Sequence, residues 1–174
     1  MQRGFCAGIS SLGFVLLTGT DEAVHTVSLG DDVNALKTDV LSDKPGVDLI
    51  RSDVLNPYLA QIIAFIENPK NVLDIPYVLQ GTPFQKQVWT QLTQIPLGQT
   101  QSYQTVAHHI GRPKAVRAVA GACAANRLSL IIPCHRVIAS NGQISGYRWG
   151  VAKKTTLLQR ESAIIQQCIK SVSY

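Results

Sequence analysis

Two kinds of periodicity divide the chain. Up to Leu17 apolar and polar residues alternate, and Phe14 to Thr18 and Val24 to Leu29 are apolar, β-rich runs separated by GTDEA, so the N-terminal stretch reads as strands. Asp31 or Asp32 then caps a helix reaching about Leu41, with Val33, Leu36, Val40 and Leu41 on one face. Asn56-Pro57 is a second helix start, a capping side chain followed by the residue that loses nothing at the first helical position. Leu59, Ile62, Ile63 and Ile66 supply its buried stripe, and the helix stops before Pro69. Val72 to Leu79 reads as a last strand or an extended linker.

From residue 81 the pattern turns helical. Thr82-Pro83-Phe84-Gln85 is a capping box, and Phe84, Val88 and Leu92 carry a helix to about Gln94 before Ile95-Pro96-Leu97-Gly98 ends it. Ser102 caps a short helix to Ile110, Gly111 stops it, and Arg112-Pro113 opens another running from Lys114 to Ala125. Two short helices about a glycine turn form the helix-turn-helix pattern. Projected at the helical period, Val116, Val119, Ala120 and Cys123 share one face of the second helix, while Lys114, Ala118, Gly121 and Ala125 lie opposite with Arg117 on the flank. A nearly bare outer face suits a close neighbour, either another protein element or a nucleic-acid groove, and Arg112, Lys114, Arg117 and Arg127 favour the groove. Leu128 to Ile132 reads as a short strand ended by Pro133, and a last helix spans about Ala152 to Gln167 with Leu157, Leu158, Ile164 and Ile165 inward.

The expectation is therefore an α/β domain over residues 1–80, without nucleophile cluster or phosphate loop and so a scaffold, and a mainly α domain over residues 81–174. A chain of 174 residues with 45% apolar and 16% charged residues suits one or two packed domains and carries no apolar run long enough for a membrane span. No small-residue cleavage box follows the N-terminal strands, so no secretory signal is expected. Cys6, Cys123, Cys134 and Cys168 are scattered without a C-x-x-C pair, and with His108 and His109 they make no closed metal site; reduced thiols, a cytoplasmic setting and no metal or cofactor are expected.

Charge is divided between the halves. Residues 1–80 hold five cations against ten acids, net −5, and residues 81–174 eleven cations against the single acid Glu161, net +10. The second half is thus suited either to a polyanion or to a merely basic surface.

Asn126 to Ile138, NRLSLIIPCHRVI, sets the Cys134 thiol beside the His135 imidazole and the Arg136 guanidinium at the edge of a core. Thiols react as thiolates, and neighbouring cations or imidazoles raise the reactive fraction. In extended backbone adjacent side chains diverge, so His135 is expected to reach Cys134 through a water or a kink. Glu161 is either the carboxylate that orients this imidazole or a surface salt-bridge partner, and Cys134 is either nucleophile or buried structural cysteine.

The run from Gly81 to Glu161, with GTPFQKQVW, IPLGQTQSY, GRPKAVRAVAGACAAN, IIPCHRVI and SGYRWGVAKKTTLLQRE, resembles the O6-alkylguanine-DNA alkyltransferases, and is especially similar to the C-terminal repair domain of the Ada type. SLGFVLLTGTDEAVHTVSLGDD extends the likeness more weakly into the first domain, where the resemblance implies a ribonuclease-H-like fold. It further implies that Cys134 is the alkyl acceptor, His135 its water-linked base, Glu161 the carboxylate orienting His135, and Asn126 the hinge that braces the active-site turn. By the same likeness Arg117 fills the gap left by a flipped nucleotide, Tyr103 contacts the flipped guanine and its phosphate, and Tyr147 and Arg148 cover the base. Lys114, Ala118, Gly121 and Arg136 join Arg117 at a minor-groove surface. The implied activity is irreversible, single-use transfer of an alkyl group from O6-alkylguanine in double-stranded DNA, by a monomer that needs no cofactor; whether O4-alkylthymine is also a substrate is left open by the sequence. No four-cysteine zinc module is present, so the resemblance implies no transcriptional role. A cysteine hydrolase and a non-catalytic binder of alkylated DNA are the competing readings: the first lacks an oxyanion signature, and the second usually lacks the acceptor cysteine.

Overall fold

The computed structural model describes residues 2–172, and the chain divides into two compact units, residues 1–80 with 127–131 and residues 81–126 with 132–174. Mixed α/β architecture is common to both, a small sheet and helices in the first and helices with a two-stranded pair in the second.

In the first unit β1 (Gln2–Ser10), β2 (Gly13–Gly19) and β3 (Val24–Gly30) form an antiparallel meander, and β4 (Asp48–Arg51) joins the free side of β1 in parallel, giving the order β3-β2-β1-β4. The sequence pattern does not foretell β4, because only one of its four residues is even half-buried and no alternation shows. Helix α1 (Val33–Ser42) starts at Asp32, whose carboxylate accepts from the Asn34 and Ala35 N–H groups, and its Leu36 and Val40 close on Leu16. Helix α2 (Asn56–Glu67) contributes Leu59, Ile62, Phe65 and Ile66 to the core. The expected Asn56 cap is not formed: a 3-10 turn over Asp53–Leu55 runs into the helix, and the Asn56 amide donates instead to Asp53. Residues 72–79 are extended, with one bridge from Tyr77 to Val24.

Residues 127–131 lie within the sequence interval expected for the second domain but pack with the first unit. Val27 N–H donates to the Arg127 carbonyl at 2.8 Å, Ser129 N–H donates to Val27 at 3.2 Å, and Arg127 forms ion pairs with Asp39 and Asp43. The expected strand from Leu128 to Ile132 shrinks to isolated bridge residues, Leu128 pairing with Val27, because Leu130 takes a left-handed backbone (φ 69°) that ends any ladder.

In the second unit, α3 (Pro83–Leu92) carries the full reciprocal capping box of Thr82 and Gln85. Helix α4 (Tyr103–His109) is capped by Ser102 and ends at Gly111, whose φ of 71° favours glycine; α5 (Val116–Ala124) follows. The buried indole of Trp89 donates to the Ala122 carbonyl at 2.8 Å and locks α3 to the end of α5. Strand β5 (Gln101–Ser102) pairs in parallel with β6 (Val137–Ile138), and α6 (Val151–Val172) runs five residues past its expected end. Leu157 is fully buried, but Ile165, expected inward, is 38% exposed. No helix among the described residues is long and apolar enough to cross a membrane.

Candidate active site

Cys134 owes its position to local backbone. Pro133 precedes one turn of 3-10 helix over Cys134–Arg136, closed by Cys134 N–H to Ile132 (2.8 Å) and Arg136 N–H to Pro133 (3.0 Å). This turn replaces the extended backbone expected from the apolar flanks, and it buries Cys134 and His135. Asn126, immediately after α5, is 1% exposed; its side-chain amide donates to the Ile132 carbonyl at 3.0 Å and to the Cys134 sulfur at 3.1 Å. One amide thus fixes the entry to the turn and touches the thiol.

His135 is fully buried, with Nε2 2.7 Å from Glu161 Oε1 and Nδ1 without a protein partner. Arg136 Nε donates to Glu161 Oε2 at 2.9 Å and its Nη2 to Oε1 at 3.0 Å, while its Nη1 reaches the Ile95 carbonyl at 2.7 Å. The Gly98 N–H adds a fourth donor to Glu161 at 3.2 Å, and Gly98 itself combines a φ of 76° with a position where a Cβ would strike Ile165. Burial pushes the Glu161 carboxyl up, but the donors from His135 and Arg136 more than offset it and hold it at about 2. An ionised Glu161 needs a proton on Nε2, leaving Nδ1 as the imidazole lone pair. Burial lowers the His135 pKa despite the pull of Glu161, so the ring is a neutral base.

These contacts overturn two surface readings. Glu161 is fully buried, not a surface salt-bridge partner, and Arg136, expected at a DNA surface, spends its guanidinium on Glu161 and Ile95 with its side chain 11% exposed.

Sequence patterning also misses Lys154, which is fully buried on α6 and donates to the carbonyls of Val137 (2.6 Å), Ser145 (3.2 Å) and Gly146 (3.1 Å). Its spacing was the available signal: positions 154, 157 and 161 fall on one helical face, between a core leucine and the site carboxylate. The ammonium stands 5.9 Å from the Tyr103 ring centroid, and the Tyr103 hydroxyl donates to the same Ser145 carbonyl at 3.3 Å.

A cavity of about 410 Å³ is lined by Tyr103, Ala120, Cys123, Ala124, Cys134, Ser145, Gly146, Tyr147 and Arg148. It unites Cys134 with three of the expected substrate contacts, Tyr103, Tyr147 and Arg148; Tyr147 is braced edge-on by Trp149 (5.2 Å) and Arg148 donates to the Ala124 carbonyl at 3.3 Å. Burial pushes the Cys134 thiol up to about 11, against the Asn126 donor and the Lys154 charge, and pushes Tyr103 up to about 12. At rest the cavity wall therefore carries a neutral thiol and a protonated phenol. Arg117, Ala118 and Gly121 do not line the cavity and are exposed on α5, and Lys114 is exposed just ahead of that helix. Among the described residues no group of three or more His, Cys, Asp or Glu side chains is arranged to hold a metal ion.

Comparison with known proteins fits this geometry. Residues 83–163 match the family model of the 6-O-methylguanine DNA methyltransferase DNA-binding domain. The bifunctional transcriptional activator/DNA repair enzyme Ada of Escherichia coli is 44% identical over 152 residues, 87% of this chain, and the chain spans 43% of that protein's length. A methylated-DNA--protein-cysteine methyltransferase of Kluyveromyces lactis is 38% identical over 164 residues, covering 88% of this chain and 86% of the relative. Among solved structures, Mycobacterium tuberculosis OGT in complex with DNA superposes with a TM-score of 0.77 at 28% identity, over 92% of this chain and 93% of that one. With a relative 38% identical matched over 86% of its length, the chain belongs to the methylated-DNA--protein-cysteine methyltransferase family.

Proposed function

We propose that this protein repairs O6-alkylguanine in double-stranded DNA by moving the alkyl group onto Cys134, once per molecule. The observation that carries the reading is a buried pair of contacts on one 3-10 turn, Asn126 to the Cys134 sulfur and the next residue, His135, to Glu161, with Cys134 lining a cavity of about 410 Å³. His135 Nδ1, its tautomer fixed by Glu161, takes the Cys134 proton through a water; the thiolate attacks the alkyl carbon in line, the C–S bond forms, and the C–O6 electron pair returns to the purine. Tyr103, protonated at neutral pH, donates to the leaving base. The thioether is not hydrolysable, so the acceptor is spent.

The target atom is inaccessible in stacked DNA, so the nucleotide must be extruded at a cost of about a few kcal/mol. We assign α4, the Gly111 turn and α5 as a helix-turn-helix entering the minor groove, with exposed Ala118 and Gly121 allowing close approach, Lys114 on the backbone and Arg117 filling the vacated stack. Tyr147 and Arg148 cover the extruded base. The ribonuclease-H-like reading of the first domain rests on its three-stranded antiparallel meander extended in parallel by β4, with helices packed on the sheet. A reducing, cytoplasmic setting suits an acceptor that must stay a free thiol.

Mass spectrometry after incubation with a duplex containing O6-methylguanine tests the reading. One methyl on Cys134 is expected, with none on a Cys134→Ser variant that still binds the duplex, since a hydroxyl has almost no anionic form at neutral pH. A transient acyl adduct would indicate a hydrolase, and an unmodified protein that binds the lesion would indicate a pure binder.

A further inference from the structure

Alkyl transfer uses one sulfur, yet two line the cavity. Cys123, at the penultimate position of α5, is 7% exposed and shares the cavity wall with Cys134. Asn126 ties the two together, its backbone N–H donating to the Cys123 carbonyl at 3.2 Å and its side-chain amide to the Cys134 sulfur at 3.1 Å. The Trp89 bond to Ala122 fixes this end of α5; burial pushes Cys123 up to about 12 and Cys134 up to about 11, and the Lys154 ammonium partly offsets this at both.

We propose that Cys123 is a resolving thiol for Cys134, and that a small hydroperoxide converts the pair into a reversible disulfide across the acceptor cavity. The Cys134 thiolate attacks one peroxide oxygen, the O–O bond breaks, and the departing hydroxide takes up the proton that the thiol released, leaving Cys134 as a sulfenic acid and one water. The Cys123 sulfur then attacks the sulfenic sulfur; the S–S bond forms, the S–O bond breaks, and the oxygen leaves as a second water with the Cys123 proton. Two thiols and one hydrogen peroxide thus give one disulfide and two waters. The chemical consequence is protection: a sulfinic acid would destroy a single-use acceptor, whereas a thiol reductant regenerates it from a disulfide. The disulfide stands on the shared cavity and goes beyond alkyl transfer, while its protective consequence rests on the repair reading.

The test uses the full chain, Cys123→Ser and Cys123→Ala, each treated with hydrogen peroxide, blocked with iodoacetamide and digested with trypsin without reduction. Cleavage after Arg117, Arg127 and Arg136 puts Cys123 in peptide 118–127 and Cys134 in peptide 128–136. The expected product is these two peptides joined within one molecule, lighter than their sum by two hydrogens, with dithiothreitol releasing them and restoring Cys134 to iodoacetamide labelling. In both variants Cys134 should proceed to the sulfinic acid, and dithiothreitol should not restore its labelling. Oxidation of wild-type Cys134 without the joined peptides, joining to Cys6, Cys168 or a second molecule, or equal recovery in the variants would overturn the proposal. Failure of the untreated protein to accept a methyl group would count against the repair reading instead, because labelling and linkage are read independently of it.

Discussion

Glu161 takes four donors on two oxygens, from His135, two nitrogens of Arg136 and the Gly98 N–H, in a place with no solvent exposure. Its folded pKa of about 2 lies below the ordinary value of 4.5, so it stabilises the fold fully above pH 4.5, and that contribution is lost as pH falls from 4.5 towards 2. The shift corresponds to about 3 kcal/mol. His135 acts in the same direction from below pH 6.5, since its folded pKa is lowered and the unfolded chain binds its proton first. Denaturant midpoints measured from pH 7 to pH 3 should therefore fall steeply, and Glu161→Gln should flatten the part of that fall below pH 4.5. At pH 7 the variant should be less stable by about 3 to 5 kcal/mol, because the Arg136 charge loses its partner. Its single-turnover transfer should slow by about a hundredfold as imidazolium support is lost; an unchanged rate would make Glu161 a structural anchor for Arg136 alone. Cys134, His135 and Glu161 were legible in the sequence because Pro-Cys-His-Arg and a lone acid stand out among cations. Arg136 was misread because nothing in a one-dimensional pattern says that a carboxylate 25 residues away will claim its guanidinium.

Helices α5 and α6 present the two sides of the proposed chemistry. Lys154 on α6 gathers three carbonyls, two of them from the loop that lines the cavity, and its charge lowers the pKa of both thiols against burial. Lys154→Met keeps the length of the side chain and removes those bonds, so transfer should slow by about tenfold through misplaced Tyr103 and Tyr147. Duplex affinity should stay near wild type, and equal loss of affinity and rate would point to general unfolding of the site. Lys154 was passed over although its spacing puts it on the buried face, because a lysine is read as surface unless its partners are known, and here they are backbone groups assembled only by folding. On α5 the position of Gly121 is open, and an added Cβ meets nothing within 4 Å. Gly121→Gln should therefore raise thermal stability, by up to about 1 kcal/mol through helix propensity, while weakening duplex binding by about tenfold if this face meets DNA. Stability gained with affinity unchanged would remove α5 from the interface. The bare face of α5 was legible, whereas the 3-10 turn at Cys134 was not, since Leu130 and Pro133 break a run that composition alone reads as a strand.

The charge division of the whole molecule survives folding with one exchange: Arg127 pairs with Asp39 and Asp43 in the first unit, leaving that unit at −4 and the second at +9. Arg136 and Lys154 are internal, so the surface that a polyanion meets is less basic than the count but still carries no acidic residue among 81–126 and 132–172 other than buried Glu161. Strands β2 and β3 were legible as near-continuous apolar runs buried on both faces, and most helices from their periodic buried face. Strand β4 was not, because its place comes from pairing with β1 and only Leu49 is half-buried. The 127–131 segment was placed in the wrong domain because its bridge to β3 and the Arg127 ion pairs with Asp39 and Asp43 form only on folding. The claim on which the account turns is that Cys134 is a single-use acceptor, with a neighbouring base to ionise it and nothing to remove the alkyl group. The direct measurement is methyl transferred per protein molecule under a large excess of duplex containing O6-methylguanine. The account predicts a plateau at one methyl per molecule, all of it on Cys134 and stable to dialysis; continued release of repaired guanine beyond one equivalent, or a plateau with the methyl on another residue, would contradict it.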